Sequence, residues 1–292
     1  MTRAFVLGTL LFIGGAAVAV AQEAAKPGDL AAAQRSLIDT ERAFAKKSME
    51  INAREAFLLF TADNGMMLDP EPLPAKEYWG KRAVPEYTLD WWPTHADVSR
   101  SADLGWDLGP WVFTTKDGQR YFGYFSTVWG RQADGSWRFL ADLGASMPEE
   151  EKRGREPGPL DAAKLAQTAV PAEVPGAGDS VLAADRALGV AAGKGLEAAY
   201  GGVLAEDVYF LREGHAPFVG KTAAALRLTE EKGTFSSQPA HGDASRAGDL
   251  GYAYGSYERK GEKPEAGTYL RVWRREPGQD WRLVLEVLKP RG

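Results

Sequence analysis

Cysteine is absent from the 292 residues, so disulfides, thiolate metal sites and a cysteine nucleophile are excluded outright. Histidine is nearly absent too. The 3 imidazoles, His95, His215 and His241, include no two at ligand spacing, so no metal site is expected and no serine–histidine–acid triad can be argued. Basic runs are missing: 35 lysines and arginines stand against 40 acids, for a net charge of -5. That balance argues against a nucleic-acid backbone or an anionic membrane as partner. Glycine-rich phosphate loops of the required spacing are also missing, and no cofactor is expected. After the N-terminal segment, no apolar run is long enough to span a bilayer.

That first segment has a signature of its own. Arg3 supplies a positive start, Phe5 to Val18 is apolar but short for a membrane span, and Ala19-Val20-Ala21 is a small-x-small cleavage site. A cleavable signal peptide over residues 1–21 is expected, and with it a soluble periplasmic or secreted protein. The composition, 44% hydrophobic and 26% charged, suits globular domains, and the length allows two separate cores.

One stretch organises the rest. Ser99-Arg100-Ser101-Ala102-Asp103-Leu104-Gly105-Trp106 returns as Ser245-Arg246-Ala247-Gly248-Asp249-Leu250-Gly251-Tyr252, and Gly109 and Trp111 return as Gly255 and Tyr257. The chain therefore reads as an internal duplication. In the first copy Asp29 can cap a long helix whose stripe is Leu30, Ala33, Leu37, Phe44, Ser48 and Ile51. A second helix turns Ala56, Leu59 and Phe60 inward, and Gly65 to Leu68 is a short strand. Pro70, Pro72 and Pro74 then make a loop, and a third helix over Ala75–Arg82 carries Tyr78 and Trp79. Turns at Asp117-Gly118 and Asp134-Gly135 separate strands Leu104–Thr115, Arg120–Arg131 and Trp137–Ala145. The second copy follows the same order, with Val181, Ala184, Leu188 and Ala191 as its helical stripe. Domains are expected at 29–147 and 179–290, joined by a proline-rich linker at 148–178 that holds a short helix over Leu160–Thr168. Helices first and strands afterwards is an α+β order.

The strands carry a recurrent pattern: Asp103-Leu104-Gly105-Trp106, Gly109-Pro110-Trp111, Val128-Trp129-Gly130-Arg131 and Gly135-Ser136-Trp137-Arg138. The second copy has Asp249-Leu250-Gly251-Tyr252, Gly255-Ser256-Tyr257, Val272-Trp273-Arg274-Arg275 and Asp280-Trp281-Arg282, the last departing from glycine in a turn. This pattern resembles the NTF2-like superfamily, and within it the DUF4440 and SnoaL-like branch. The resemblance implies two tandem NTF2-like (cystatin-like cone) domains, each with N-terminal helices packed on a curved antiparallel sheet. Isomerases, cyclases, dehydratases, hydrolases and inert binding modules all share that cone, so it implies no single activity.

A cone has one open end and an inner face suited to a small molecule. Strand alternation separates Leu104, Trp106 and Leu108 from Asp107 and Trp111, with large apolar groups on both faces, so both faces need cover. The helices cover one. The other sheet of the same chain is expected to cover the second, as an internal pairing, with a homodimer of the whole chain as a further possibility. Asp107 and Asp142 are the catalytic candidates, as carboxyls whose pKa an aromatic pocket raises. Against this stand a hydrogen-bonded strand aspartate for Asp107, and for Asp142 and Glu286 an ion pair with Arg131 or Arg275. Asp103 and Asp249 read as turn formers. Candidate ligand-binding residues are Tyr78, Trp79, Trp106, Trp111 and Tyr124 in the first copy. In the second they are Tyr209, His215, Tyr252, Tyr254, Tyr257, Tyr269 and Glu286, with core packing as the plainer account of each aromatic. The leading expectation is a pocket that binds a small, partly apolar molecule. The alternatives are a cofactor-free acid–base enzyme of isomerase or dehydratase type, and a structural module with filled cones.

Overall fold

The computed structural model describes residues 30–151, 173–276 and 278–291. The signal peptide, the Asp29 cap and the helix over Leu160–Thr168 fall outside the described residues. In the first half, α1 (Leu30–Glu50) and α2 (Ala53–Phe60) lead into β1 (Thr61–Met67), β2 (Leu73–Pro74) and α3 (Ala75–Gly80). Strands β3 (Thr88–Trp91), β4 (His95–Val98), β5 (Leu104–Thr114), β6 (Arg120–Arg131) and β7 (Trp137–Met147) follow. The second half runs α4 (Ala177–Ala192), α5 (Leu196–Gly201), β8 (Leu204–Arg212), β9 (Phe218–Val219) and α6 (Lys221–Glu230). It ends with β10 (Thr234–Ala244), β11 (Leu250–Lys260), β12 (Glu265–Arg274) and β13 (Arg282–Pro290). The fold is α+β, with helices preceding a mainly antiparallel sheet in each half.

The two sheets share one strand order. The first runs β2-β1-β7-β6-β5-β3, with β4 also on β5, and the second runs β9-β8-β13-β12-β11-β10. In each, the strand after the second helix pairs parallel to the last strand, and the other pairs are antiparallel. Register slips between Val128 and Trp129, and again between Val272 and Trp273, bend each sheet around its helices.

Two expected core residues lie outside. Ile51 is 54% exposed and Leu59 is 51% exposed. The reason is local: α1 stops at Glu50, and the Asn52 side chain accepts from Glu55 N at 2.9 Å to cap a new helix. That restart resets the helical phase, so α2 buries Ala53, Ala56 and Phe57 instead.

Period-two alternation then divides the sheet. Gly105 and Asp107 point under the helices, and a Cβ on Gly105 would come within 2.3 Å of the Leu37 side chain and 3.1 Å of the Asp97 carbonyl, so any larger residue would push Leu37 of α1 aside. Leu104, Trp106 and Leu108 point the other way and share one apolar cluster with Tyr252, Tyr254, Leu270 and Val272 of the second sheet. The outer faces of the two sheets thus bury each other.

The repeated sequence meets its own copy at this junction. Asp103 accepts from its own Ser99 and Ser101 hydroxyls at 3.0 and 2.6 Å, and from the backbone N–H of Arg246 in the other half at 3.1 Å. Asp249 does the reverse, accepting from Ser245 Oγ and from the Arg100 backbone N–H, both at 2.9 Å. Such reciprocity is the mark of a two-fold contact. The aspartates expected as turn formers do more than shape turns: each ties its loop to the opposite half. Asp103→Ala removes an acceptor from several donors at once, and about 1–3 kcal/mol of stability should go with it. Urea unfolding of the two proteins checks this, and a shift under a tenth of that range would mean that water replaces the carboxylate.

Candidate functional site

Helices α1 to α3 lie over the inner face of the first sheet without filling it. The space left is a cavity of about 310 Å³. Its walls are aromatic because both contributing surfaces are. Phe44 on α1 meets Phe57 and Trp91 edge-on, with ring centroids 4.8 and 4.7 Å apart, and Phe57 stacks on Trp79 at 4.4 Å. Trp111 closes one side by lying against Gly123, where a Cβ would stand 2.2 Å from the indole. Tyr78, on α3, completes the wall and carries the Arg82 guanidinium 3.9 Å above its ring.

Three carboxyls sit within or behind this wall. Asp142 on β7 is partly open to the cavity and accepts from Thr127 Oγ1 at 2.9 Å. Glu41 on α1 is fully buried and accepts from Trp91 Nε1. Behind it Asp107, also fully buried, accepts from Trp129 Nε1 at 3.1 Å. Among the described residues, Glu41 Oε2 and Asp107 Oδ2 receive no donor, and the charge of Glu41 is felt at Asp107. Two buried acids this close disfavour being ionised together. Burial raises Glu41 from its ordinary 4.5 to about 7, against the pull of Trp91. Burial, and then the charge of Glu41, lifts Asp107 well above its usual range. Burial also raises Asp142 from 3.8 to about 7, opposed by the Thr127 hydroxyl.

The mouth belongs partly to the second half. Lys289, near the end of β13, lines the cavity and donates to Glu213 Oε2 at 2.8 Å. Asp69, beside it in the proline loop, is raised by burial and opposed by Lys289. Glu213 also accepts from Ser146 N at 3.1 Å, and Thr268 donates to the Pro70 carbonyl at 3.3 Å. The second half therefore fixes one lip of the first half's opening.

The equivalent interior of the second sheet holds its own ions. Thr127 is paired across the ladder with Asp142, and in the other sheet Arg271 is paired with Glu286. Where threonine leaves room, arginine takes it. Arg271, fully buried, reaches Glu286 Oε2 at 2.7 Å, Asp185 Oδ1 at 3.3 Å and Tyr200 OH at 3.0 Å. Arg212 donates to the other Glu286 oxygen at 2.5 Å, and Tyr269 OH to Asp185 Oδ2 at 2.6 Å. Burial alone would raise Glu286, but Arg271 and Arg212 together hold it below the usual carboxylate range.

Of the candidates read from the sequence, Asp142, Tyr78, Trp79 and Trp111 line the cavity. Asp107 stands behind Glu41 and reaches the cavity only through it. Trp106, Tyr124, Tyr252 and Tyr254 are in the core between the sheets, with Tyr209 packed against it, because alternation turns them to the outer face. Tyr257 and Tyr269 are buried in the second core, each bonded to an acid, Glu265 and Asp185. Glu286 is the centre of the ion network, paired with arginines of β8 and β12. The arginines first considered are committed elsewhere: Arg131 donates to Gly135 O and Arg275 to Gly248 O. His215 is exposed in the β8–β9 turn, its ring 5.7 Å from Phe218.

Sequence reasoning missed Glu41, and the signal was available. It falls four residues after Leu37 and three before Phe44, an acid in the middle of an apolar stripe. Asp185 repeats the signal between Val181 and Leu188.

No protein-family model and no curated protein matches the chain. Solved structures do. An LEH-like epoxide hydrolase from M. tuberculosis is 15% identical, with 38% of this chain and 80% of that chain covered and a TM-score of 0.31. An NTF2-like protein of unknown function from Pseudomonas putida KT2440 is 18% identical over 39% of this chain and 87% of its own, TM-score 0.34. A ketosteroid isomerase-like protein from Erwinia carotovora atroseptica SCRI1043 is 15% identical over 39% and 95%, TM-score 0.35.

Proposed function

We propose that the first half of this chain is a binding site for a small, partly apolar molecule and that the second half is its filled, supporting copy. The observation that carries this is the contrast at one ladder position: Thr127 opposite Asp142 borders an aromatic cavity of about 310 Å³, whereas Arg271 opposite Glu286 is ion-paired and buried. That volume lies at the small end of known ligand sites. The reading extends to a tandem NTF2-like protein of the DUF4440 and SnoaL-like type, born by duplication and exported through its N-terminal segment; the repeated motif and the signal signature support it.

Thr127→Met tests the site. Methionine is flexible enough to occupy the cavity without forcing the sheet apart. Saturation-transfer NMR with a library of small aromatic and aliphatic fragments should give hits on the natural protein and lose most of them on the variant. Unfolding by urea shows whether the variant still folds. Hits that persist unchanged on a folded variant place binding elsewhere.

A second reading is favoured by one specific observation. Glu41 and Asp142 both titrate near 7, where a carboxyl can give or take a proton at working pH. In that reading Asp142 is the group that meets the substrate, and Asp107 keeps the proton that tunes Glu41. Consumption of a bound fragment, abolished in Asp142→Asn while binding persists, would separate an isomerase or dehydratase from a binder.

A further inference from the structure

The cavity's walls are aromatic and its ionisable lining is almost entirely acidic. Trp79, Trp91, Trp111 and Phe125 line it, each ring carrying negative quadrupole on its faces, and Glu41 and Asp142 lie among them. Among the described residues one cation lines the mouth, Lys289, and it is spent on Glu213 at 2.8 Å. The other nearby cation, Arg82, lies over the Tyr78 ring at the rim. One polar atom adds to this. Trp79 is only 6% exposed, and among the described residues its indole N–H has no partner, an arrangement that favours a ligand bringing an acceptor.

We infer that the molecule held in this cavity is a small organic monocation, an ammonium carrying a hydroxyl or carbonyl oxygen nearby. The inference rests on the cavity being a ligand site. Once ionised, Glu41 and Asp142 face the cavity with no cation paired to them among the described residues, and a ligand that brings a positive centre supplies what the walls lack. Aromatic faces add to that attraction most strongly where water is excluded. Size agrees, since about 310 Å³ is the space of about ten waters.

The charge has a thermodynamic consequence. With Glu41 and Asp142 near 7 in the empty site, a cation binds best to their ionised forms and pulls their pKa values down, so binding releases protons. Affinity should rise with pH across that range. The groups that bear on this titration are Glu41, Asp107 and Asp142 within, and Asp69, Tyr78, Arg82, Glu213 and Lys289 around the mouth.

The test uses choline and its uncharged carbon isostere, 3,3-dimethylbutan-1-ol, titrated calorimetrically into the full-length protein. At about pH 8 choline should bind at least about tenfold more tightly, and its advantage should shrink toward about pH 6. Asp142→Asn should reduce choline affinity about tenfold and leave that of the alcohol unchanged. Equal affinity, or preference for the alcohol, overturns the cation while the cavity stands as a ligand site. Should neither compound bind while the NMR fragments still do, the cation again fails alone. Should fragments also fail, both conclusions fall together.

Discussion

Replacing Arg271 with leucine is expected to destabilise the chain by about 3–5 kcal/mol, the largest effect of any single change considered. Arg271 is fully buried among Asp185, Glu286, Tyr200 and Tyr269, and burial is tolerable only because each charge has a partner. Leucine would leave Asp185 with two donors, Tyr269 OH and Trp273 Nε1, and no cation. Glu286 would keep Arg212 and the Tyr200 hydroxyl, so the loss centres on Asp185. The cost should show in urea unfolding at neutral pH and should shrink in acid. There the stability that Glu286 contributes through its lowered pKa is itself lost as pH falls through the folded value. Adding Asp185→Asn to Arg271→Leu should recover part of the loss by removing the unpaired charge. A cost under about 1 kcal/mol for Arg271→Leu alone would mean that water already reaches this interior, and the description of the second half as sealed would fail.

How much of this could be read from residues alone follows from what each pattern encodes. The repeated Ser-Arg-x-x-Asp-Leu-Gly gave the two-sheet architecture, since helices followed by a meander allow few layouts. Alternation along Leu104 to Trp111 gave the existence of two covered faces, but not which face held the chemistry. Trp106 and Tyr124 therefore looked as good as Trp111, although they fill the core between sheets. The acids divided for a different reason. A strand acid such as Asp142 stands out in sequence, whereas Glu41 is one of several acids on a long helix and is marked only by its place in the stripe. Arg271 was invisible because nothing in a strand sequence says that an arginine will turn inward. Its neighbours across three elements, α4, α5 and β13, decide that.

Asp142→Asn should raise stability, and by an amount set by pH. A carboxyl with a folded pKa of about 7 and an ordinary value of 3.8 keeps its proton in the folded chain over a range where the unfolded chain has released it. Folding is therefore penalised progressively as pH climbs from one value to the other. At 1.36 kcal/mol per pKa unit the full penalty is about 4 kcal/mol, and partial access of Asp142 to cavity water reduces it to about 2–4 kcal/mol. Asparagine keeps the acceptor for Thr127 Oγ1 and never ionises, so it escapes the penalty. Urea unfolding should find the variant more stable by that margin at about pH 8 and nearly equal to the natural protein at about pH 4. Equal stability at both pH values would show that Asp142 is ordinary and solvated, and the cavity would lose its strongest electrostatic feature. A gain in stability accompanied by loss of cation affinity is the pattern of a residue kept for what it binds, at a cost to the fold that holds it.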